Sequence, residues 1–160
     1  MSVAFTKEDS AETAAETMLP DRPISDAPNL VTAAGRKALE RQLAEARAEY
    51  DAAMTIEDVN ERRRQAANPF RDLRYFTERL RTAQLIPAPE SNAVVAFGST
   101  VTFSRDDGRV QTYRIVGEDE ADPKAGSISY VSPIAQALMG KAVDDAVSVG
   151  EHELEVVTIA

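Results

Sequence analysis

Apolar residues recur at spacings of three or four in the first half of this chain, which predicts helices there. The first stripe consists of Leu39, Leu43, Ala46 and Tyr50. It predicts a helix from Ala33 to about Met54, with Thr32 as its N-cap. Because this stripe is thin, the helix needs a partner helix against which to bury it.

A second stripe predicts that partner, a helix that ends near Leu85–Ile86. Its apolar members are Leu73, Phe76, Leu80 and Ala83. Thr55 and Asp58 lie three residues apart and form a helix-start signal similar to a capping box. Asn68–Pro69 is either another helix start or a kink within the helix. Since two antiparallel arms need similar lengths, we expect a hairpin with its tip at 55–62 and a kink at the proline.

From Val94 onwards, β-branched runs replace the helical period. The predicted strands are Val94–Phe97, Thr100–Phe103, Thr112–Val116, Ser127–Tyr130, Val147–Val149 and Glu153–Ile159. Asp106-Asp107-Gly108 predicts a hairpin turn between two of them. Ser132 as N-cap and Pro133 at the first helical position predict a short helix that ends before Gly140. The expected fold class is therefore α+β, with an antiparallel α-helical hairpin (a coiled coil) followed by a twisted antiparallel sheet and one short helix.

Composition divides the chain into residues 1–28, 29–87 and 92–160. The first segment is rich in Ala, Glu, Asp, Thr and Pro, and we predict a disordered acidic extension. The second is the helical hairpin and the third the β domain. Basic side chains collect in the middle, because residues 29–90 carry 11 basic and 10 acidic residues whereas 91–160 carry 5 and 11.

The bulk properties exclude several classes of function. The net charge of −9 argues against independent binding to duplex DNA, sequence-specific binding included. The absence of cysteine excludes disulfides, thiolate metal sites and thiol catalysis. No signal pattern and no apolar run long enough for a membrane span is present, so we expect a soluble cytoplasmic protein.

Four blocks of the last 70 or so residues follow one another in a distinctive order. They are Phe97-Gly98-Ser99-Thr100-Val101, the run from Tyr113 to Asp122, Ile128-Ser129, and Ser132-Pro133-Ile134-Ala135 with Leu138, Gly140 and Lys141. In this order and spacing they resemble the C-terminal domain of the Gre transcript-cleavage factors. The resemblance implies an FKBP-like fold for this domain, without implying prolyl isomerase activity.

The helical part resembles the same family less closely. Gly35, Leu39 and Leu43 are similar to the start of its coiled-coil hairpin, and Ala83–Ile86 to its end. The arms are shorter than is typical by about one heptad each, which at 1.5 Å per residue removes ~10 Å of reach. Where the family carries an Asp-Leu-x-Glu-Asn-Ala-Glu-Tyr motif at the tip, this chain has Asp58-Val59-Asn60-Glu61-Arg62. The Asp-x-x-Glu spacing survives, but arginines follow it.

The resemblance implies an accessory factor that binds bacterial RNA polymerase at its secondary channel and regulates elongation, with no active site or cofactor of its own. Asp58 and Glu61 are then candidates to help hold a Mg²⁺ ion shared with the polymerase active site and to stimulate cleavage of backtracked RNA. Candidates for contact with the nascent RNA 3′ end or the channel walls are Arg62, Arg63 and Arg64. Candidates for docking on the polymerase are Ser132, Pro133, Ile134, Ala135, Asp119, Glu120 and Asp122.

Each candidate also has an ordinary structural interpretation. Acidic residues in a first helical turn suit the helix dipole, an arginine run is often a solvated face, and Ser132-Pro133 starts a helix. Two other functions stay open. One is a regulator that occupies the channel without stimulating cleavage, which the short arms and altered tip favour. The other is a freestanding FKBP-like isomerase or chaperone, ranked last because the β domain has few aromatic residues to line a proline pocket. His152, the only histidine, is predicted to be neither ligand nor base.

Overall fold

The structure, a computed structural model, describes residues 19–160. Within this range the chain forms β1 (Leu30–Val31), α1 (Ala33–Ala53), α2 (Val59–Thr82), β2 (Gln84–Leu85), β3 (Thr100–Arg105), β4 (Val110–Val116), β5 (Ser127–Ser129), α3 (Pro133–Leu138), β6 (Ala146–Val149) and β7 (His152–Ile159). These residues divide into two compact units. One contains residues 19–25 and 39–81, and the other contains 26–38 and 82–160. The predicted disordered extension, 1–28, lies outside the described residues as far as residue 18.

The first unit is built on the helical hairpin of α1 and α2, and the predicted α1 is confirmed to within one residue. The tip falls at residues 54–58, inside the expected region. The prediction for the end of α2 is wrong, because the helix stops at Thr82 and residues 84–85 form β2. A two-residue strand is too short to produce a periodic signal, so the apolar residues there read as a continuation of the helix.

Pro69 lies inside α2, which runs through it as one helix. The alternative of a helix start at Asn68–Pro69 is therefore excluded, while the kink stays a prediction. Beside the proline, the rings of Tyr50 and Phe70 lie 5.5 Å apart and join the two arms near the tip. Small buried side chains, Ala46, Ala53 and Ala66, allow the arms to approach closely. The expected hairpin of two helices that bury thin stripes against each other is confirmed.

The second unit contains a five-stranded sheet of order β5-β4-β3-β7-β6. The turn at Asp106–Gly108 joins β3 and β4 as predicted, and Phe103 pairs with Gln111 across the hairpin. The expectation of a wholly antiparallel sheet is corrected in one respect, since β5 runs parallel to β4. The connection between these strands holds a short 3₁₀ helix at Pro123–Ala125. It returns the chain along β4, as a parallel pair of strands requires.

The predicted strand at Val94–Phe97 does not form. Val95 and Phe97 are buried, which explains the apolar pattern. Only Val95 makes paired backbone bonds there: its N–H donates to the carbonyl of Lys141, and its own carbonyl accepts from the N–H of Gly140, both at 2.8 Å. Alternating apolar residues indicate that a segment is buried. This segment is buried without being hydrogen-bonded along its length to a neighbouring strand.

A parallel pair of strands that the sequence did not predict closes the base of the hairpin. Leu30 pairs with Gln84 and Val31 pairs with Leu85. The N–H of Gln84 donates to the carbonyl of Asn29 at 2.8 Å, and that of Ile86 to the carbonyl of Val31 at 2.9 Å. We call this pair of strands the clasp. It joins the segment that enters the helices to the segment that leaves them.

The hydrophobic core of the second unit lies between the sheet and α3. Its buried members are Val95, Val101, Phe103, Ile115, Ile128, Ala135, Leu138, Leu154 and Val156. Phe103, Ile115 and Leu138 are fully buried, and the core is aliphatic apart from Phe103. The predicted α+β class, a helical hairpin followed by a sheet with one short helix, is confirmed.

Candidate functional site

Asp58 caps the helix that begins at the tip. Its Oδ1 atom accepts from the N–H of Asn60 at 2.9 Å and from that of Glu61 at 3.5 Å. The predicted pairing of Thr55 with Asp58 in a capping box is wrong. Thr55 belongs to the end of the preceding helix, where its hydroxyl donates to the carbonyl of Ala52 at 2.7 Å. One carboxylate oxygen of Asp58 is thus engaged in starting α2.

Glu61 is bound on both carboxylate oxygens by side chains of its own helix. Oε2 accepts from the guanidinium of Arg64, and Oε1 accepts from Nε2 of Gln65 at 2.9 Å. The hydrogen bond from Arg64, followed by that from Gln65, lowers the pKa of Glu61 below its usual value. The side chain therefore stays ionised and forms an ion pair with Arg64, one turn along the helix.

The arginine run is divided by the helical turn into two parts. Arg64 is paired with Glu61. Arg62 and Arg63 line a groove at the tip, and Arg62 also donates to the carbonyl of Ile56 at 3.2 Å. Consecutive helical residues point in directions ~100° apart, so three adjacent arginines cannot share one face. Two arginines of this run border the groove, which Arg74 also lines, and the third, Arg64, binds the carboxylate of Glu61.

Ser132 and Pro133 start α3 as predicted. Ser132 Oγ accepts from the N–H of Ala135 at 3.3 Å, and Pro133 occupies the first turn. Within the same run, Pro133 is exposed and Ile134 is half-buried, whereas Ala135 lies in the core with no exposed surface. Pro133 is thus the exposed residue of this run, between the half-buried Ser132 and Ile134.

The acidic loop between β4 and β5 contains Asp119, Glu120 and Asp122, which differ in their surroundings. Glu120 Oε2 accepts from the hydroxyl of Thr32 at 2.6 Å, so this carboxylate is held inside the second unit. Asp122 is exposed, and its side chain makes no capping bond to the 3₁₀ helix that follows it. Asp119 is half-buried. The loop enters β5 and the Ser132 run leaves it, so the two predicted docking groups flank this edge strand.

No cluster of three or more metal-binding side chains occurs within residues 19–160. His152 instead lies with Nδ1 3.2 Å from Oδ1 of Asp106, at the start of β7, where the ring N–H can donate to the carboxylate. None of the helices between residues 19 and 160 has the length and apolar character needed to cross a bilayer. The tip groove was not identified from the sequence, although the apolar residues Met54 and Val59 on either side of the tip were a signal for it.

Comparison with known proteins decides the family. The family described as "Transcription elongation factor, GreA/GreB, C-term" matches residues 90–160. The transcription elongation factor GreA of Legionella pneumophila is 41% identical over 141 residues, which cover 84% of this chain and 82% of the relative. This chain belongs to the GreA/GreB family of transcription elongation factors. The GreA of Desulfovibrio desulfuricans is 38% identical over 127 residues, or 78% of this chain and 72% of that protein.

The resemblance of the C-terminal blocks to Gre factors is thereby confirmed, and it extends into the helical hairpin. Among solved structures, GreA factor homolog 1 of Thermus thermophilus is 25% identical, with 84% of this chain and 99% of that chain covered and a TM-score of 0.39.

Proposed function

We propose that this GreA/GreB-type elongation factor binds bacterial RNA polymerase through its C-terminal unit and places its helical hairpin in the secondary channel. In this proposal it regulates elongation as an accessory factor and carries no active site of its own. Family membership supports the partner. The two docking groups that flank β5 offer a surface for it, with Pro133 and Asp122 exposed.

The state of Glu61 favours regulation without stimulation of RNA cleavage. A tip carboxylate shares a metal ion most readily when its oxygens face outward with lone pairs that no other group occupies. Glu61 has both oxygens bound, one by Arg64 and one by Gln65. A metal ion there competes with these two hydrogen bonds for the lone pairs and for the orientation of the carboxylate. It also lies close to the positive charges of Arg62 to Arg64, which repel a divalent cation.

Cleavage stimulation is the second candidate, and it has one observation in its favour. Asp58 and Glu61 lie three residues apart at the start of α2, and Glu61 keeps a lowered pKa, so oxygen ligands of the type that Mg²⁺ prefers are present at the tip. In this alternative the two carboxylates contribute to a Mg²⁺ site that belongs to the polymerase.

One assay separates the two candidates. Backtracked elongation complexes are mixed with the protein, and both binding and release of 3′ RNA are measured. We expect binding with no more release than the polymerase gives alone, and no change in release for Asp58→Ala/Glu61→Ala. Release that falls tenfold or more in this variant selects cleavage stimulation. Glu57→Ala, which removes an exposed neighbouring carboxylate, is the matched control.

A second variant tests the reason for the difference. Arg64→Gln removes the cation from Glu61 and leaves the rest of the tip in place. If pairing with Arg64 is what withholds the carboxylate, this variant gains cleavage activity over the unmodified protein. Failure of the unmodified protein to bind polymerase at all contradicts both candidates.

A further inference from the structure

The tip of the hairpin carries an apolar groove of about 370 Å³ within the first unit. Its apolar side is formed by Tyr50, Met54, Val59 and Phe70. Three of these side chains are unusually exposed for their size, at 46% for Met54, 45% for Val59 and 40% for Phe70. Large apolar side chains grouped on a surface indicate a site that another segment or molecule covers.

The chain itself leads into this groove. Leu19, the first described residue, is one of its lining residues. The residues that follow it are fastened to α2: Asp21 pairs with Arg74 at 2.7 Å and Arg22 with Asp72 at 3.1 Å. The guanidinium of Arg22 also lies 3.8 Å from the centre of the Tyr75 ring. Residues 1–18 are therefore attached to a point that already lies in the groove.

The composition of residues 1–18 complements the groove. They contain four acidic residues and one lysine. Ala11, Ala14, Ala15 and Met18 recur at spacings of one to four, an apolar pattern that fits a single helical face. Across from them, Arg62 and Arg63 border the apolar floor, and neither forms an ion pair with any residue between 19 and 160. An acidic segment with apolar positions matches both properties.

We propose that residues 1–18 dock in the tip groove and cover the end of the hairpin. The apolar positions of this segment, Met18 among them, match the apolar floor at Met54, Val59 and Phe70, and its acidic residues, such as Glu12 and Glu16, match the positive charge of Arg62 and Arg63. Attachment at Leu19 gives the segment an effective concentration in the millimolar range at the groove, so weak contacts suffice.

The absence of cysteine allows a direct test by paramagnetic NMR on the full-length protein without polymerase. A nitroxide is attached at Ala11→Cys, and broadening of the Met54 and Val59 signals is compared with that of Ala44, an exposed α1 residue outside the groove lining. We expect broadening at the groove at least threefold stronger than at Ala44. In Arg62→Glu/Arg63→Glu this preference disappears, and adding Glu12→Arg/Glu16→Arg to that variant restores it.

Controls separate docking from the mere closeness of a tethered label. Arg41→Glu/Arg47→Glu makes the same charge change on exposed positions of α1 and must leave the pattern unchanged. Equal broadening in all variants contradicts the proposal, because it shows that attachment alone brings the label near. Broadening that appears only between labelled and unlabelled molecules in a mixed sample also overturns it, since the occupant is then a second copy. The test of docking by residues 1–18 does not depend on whether the protein binds polymerase.

Discussion

The hydroxyl of Thr32 joins the start of α1 to the acidic loop, because it donates to Glu120 Oε2 at 2.6 Å. The hydroxyl oxygen of Thr32 also accepts from the N–H of Gly35 at 3.0 Å and so caps the helix. The carboxylate of Glu120 consequently lies beside the N-terminus of α1, where the helix dipole favours negative charge. Glycine at position 35 makes room for it, since a Cβ atom there would lie 2.6 Å from Oε2.

Thr32→Val keeps the shape of the side chain and removes both hydrogen bonds. We expect the free energy of unfolding to fall by about 1–3 kcal/mol, the sum of a lost N-cap and a carboxylate left without its donor. Urea denaturation followed by circular dichroism measures the change. Thr158→Val, the same replacement at an exposed position of β7, should shift stability by less than ~0.5 kcal/mol. Equal effects of the two replacements would contradict this account.

Gly117 is in contact with the backbone of the clasp. A Cβ atom at this position would lie 2.2 Å from the carbonyl oxygen of Leu30, a distance that requires the backbone to move. Gly117→Ala should therefore destabilise the protein by about 1–3 kcal/mol or more. Gly108→Ala is a useful comparison, because that glycine has a positive φ and open space around it. If the free energy of unfolding falls less for Gly117→Ala than for Gly108→Ala, the backbone of the clasp moves at little cost and this account is wrong.

Asp107 stabilises the β3–β4 turn only while it is ionised. Hydrogen bonds from the side chain and then the backbone N–H of Arg109 lower the pKa of Asp107 from 3.8 to about 2. Because the folded pKa is the lower one, the stabilisation is present above about pH 4 and is lost as pH falls towards 2. The difference in Tm between the unmodified protein and Asp107→Asn should thus narrow from pH 5 to pH 2. An NMR titration midpoint near 3.8 for Asp107 would contradict the pairing.

Asp122 offers a test of the proposed docking surface that leaves the fold intact. It is exposed and its side chain makes no capping bond, so Asp122→Lys should not change stability. If the acidic loop contacts polymerase, the variant should bind roughly threefold or more weakly, with most of the effect at low salt. Glu151→Lys makes the same charge change on an exposed turn between β6 and β7 and should bind normally. If the unmodified protein and the two variants bind polymerase with equal affinity, the acidic loop is not part of the docking surface.

Local signals in the sequence predicted those elements that depend mainly on neighbouring residues. Ser132 and Pro133 fix the start of α3 through a hydrogen bond and a constrained backbone, both contained within four residues. The Asp106–Gly108 turn joins adjacent strands and needs no distant partner. The two arms of the hairpin follow from their apolar period, and their relative lengths placed the tip correctly.

The features that the sequence did not show depend on distant pairing. The clasp joins Leu30 to Gln84 through two residues on each side, too few to leave a pattern. The role of Glu120 depends on Thr32, 88 positions away. The tip is different, because Asp58 and Glu61 contact residues of their own helix. Spacing allows such local contacts, and the sequence already suggested a first-turn role for these acids, but the structure shows which partners they take.

The clasp also bears on how proteins of this kind change over time. Hydrogen bonds from Gln84 and Ile86 to Asn29 and Val31 fix where the chain leaves for the helices and where it returns. Residues between those two points are free of this constraint, so a turn of helix can be lost from both arms together while the base keeps its register. Arm length can therefore evolve as a separate trait. A deletion that removes equal lengths from the two arms shortens the hairpin and leaves the C-terminal unit intact.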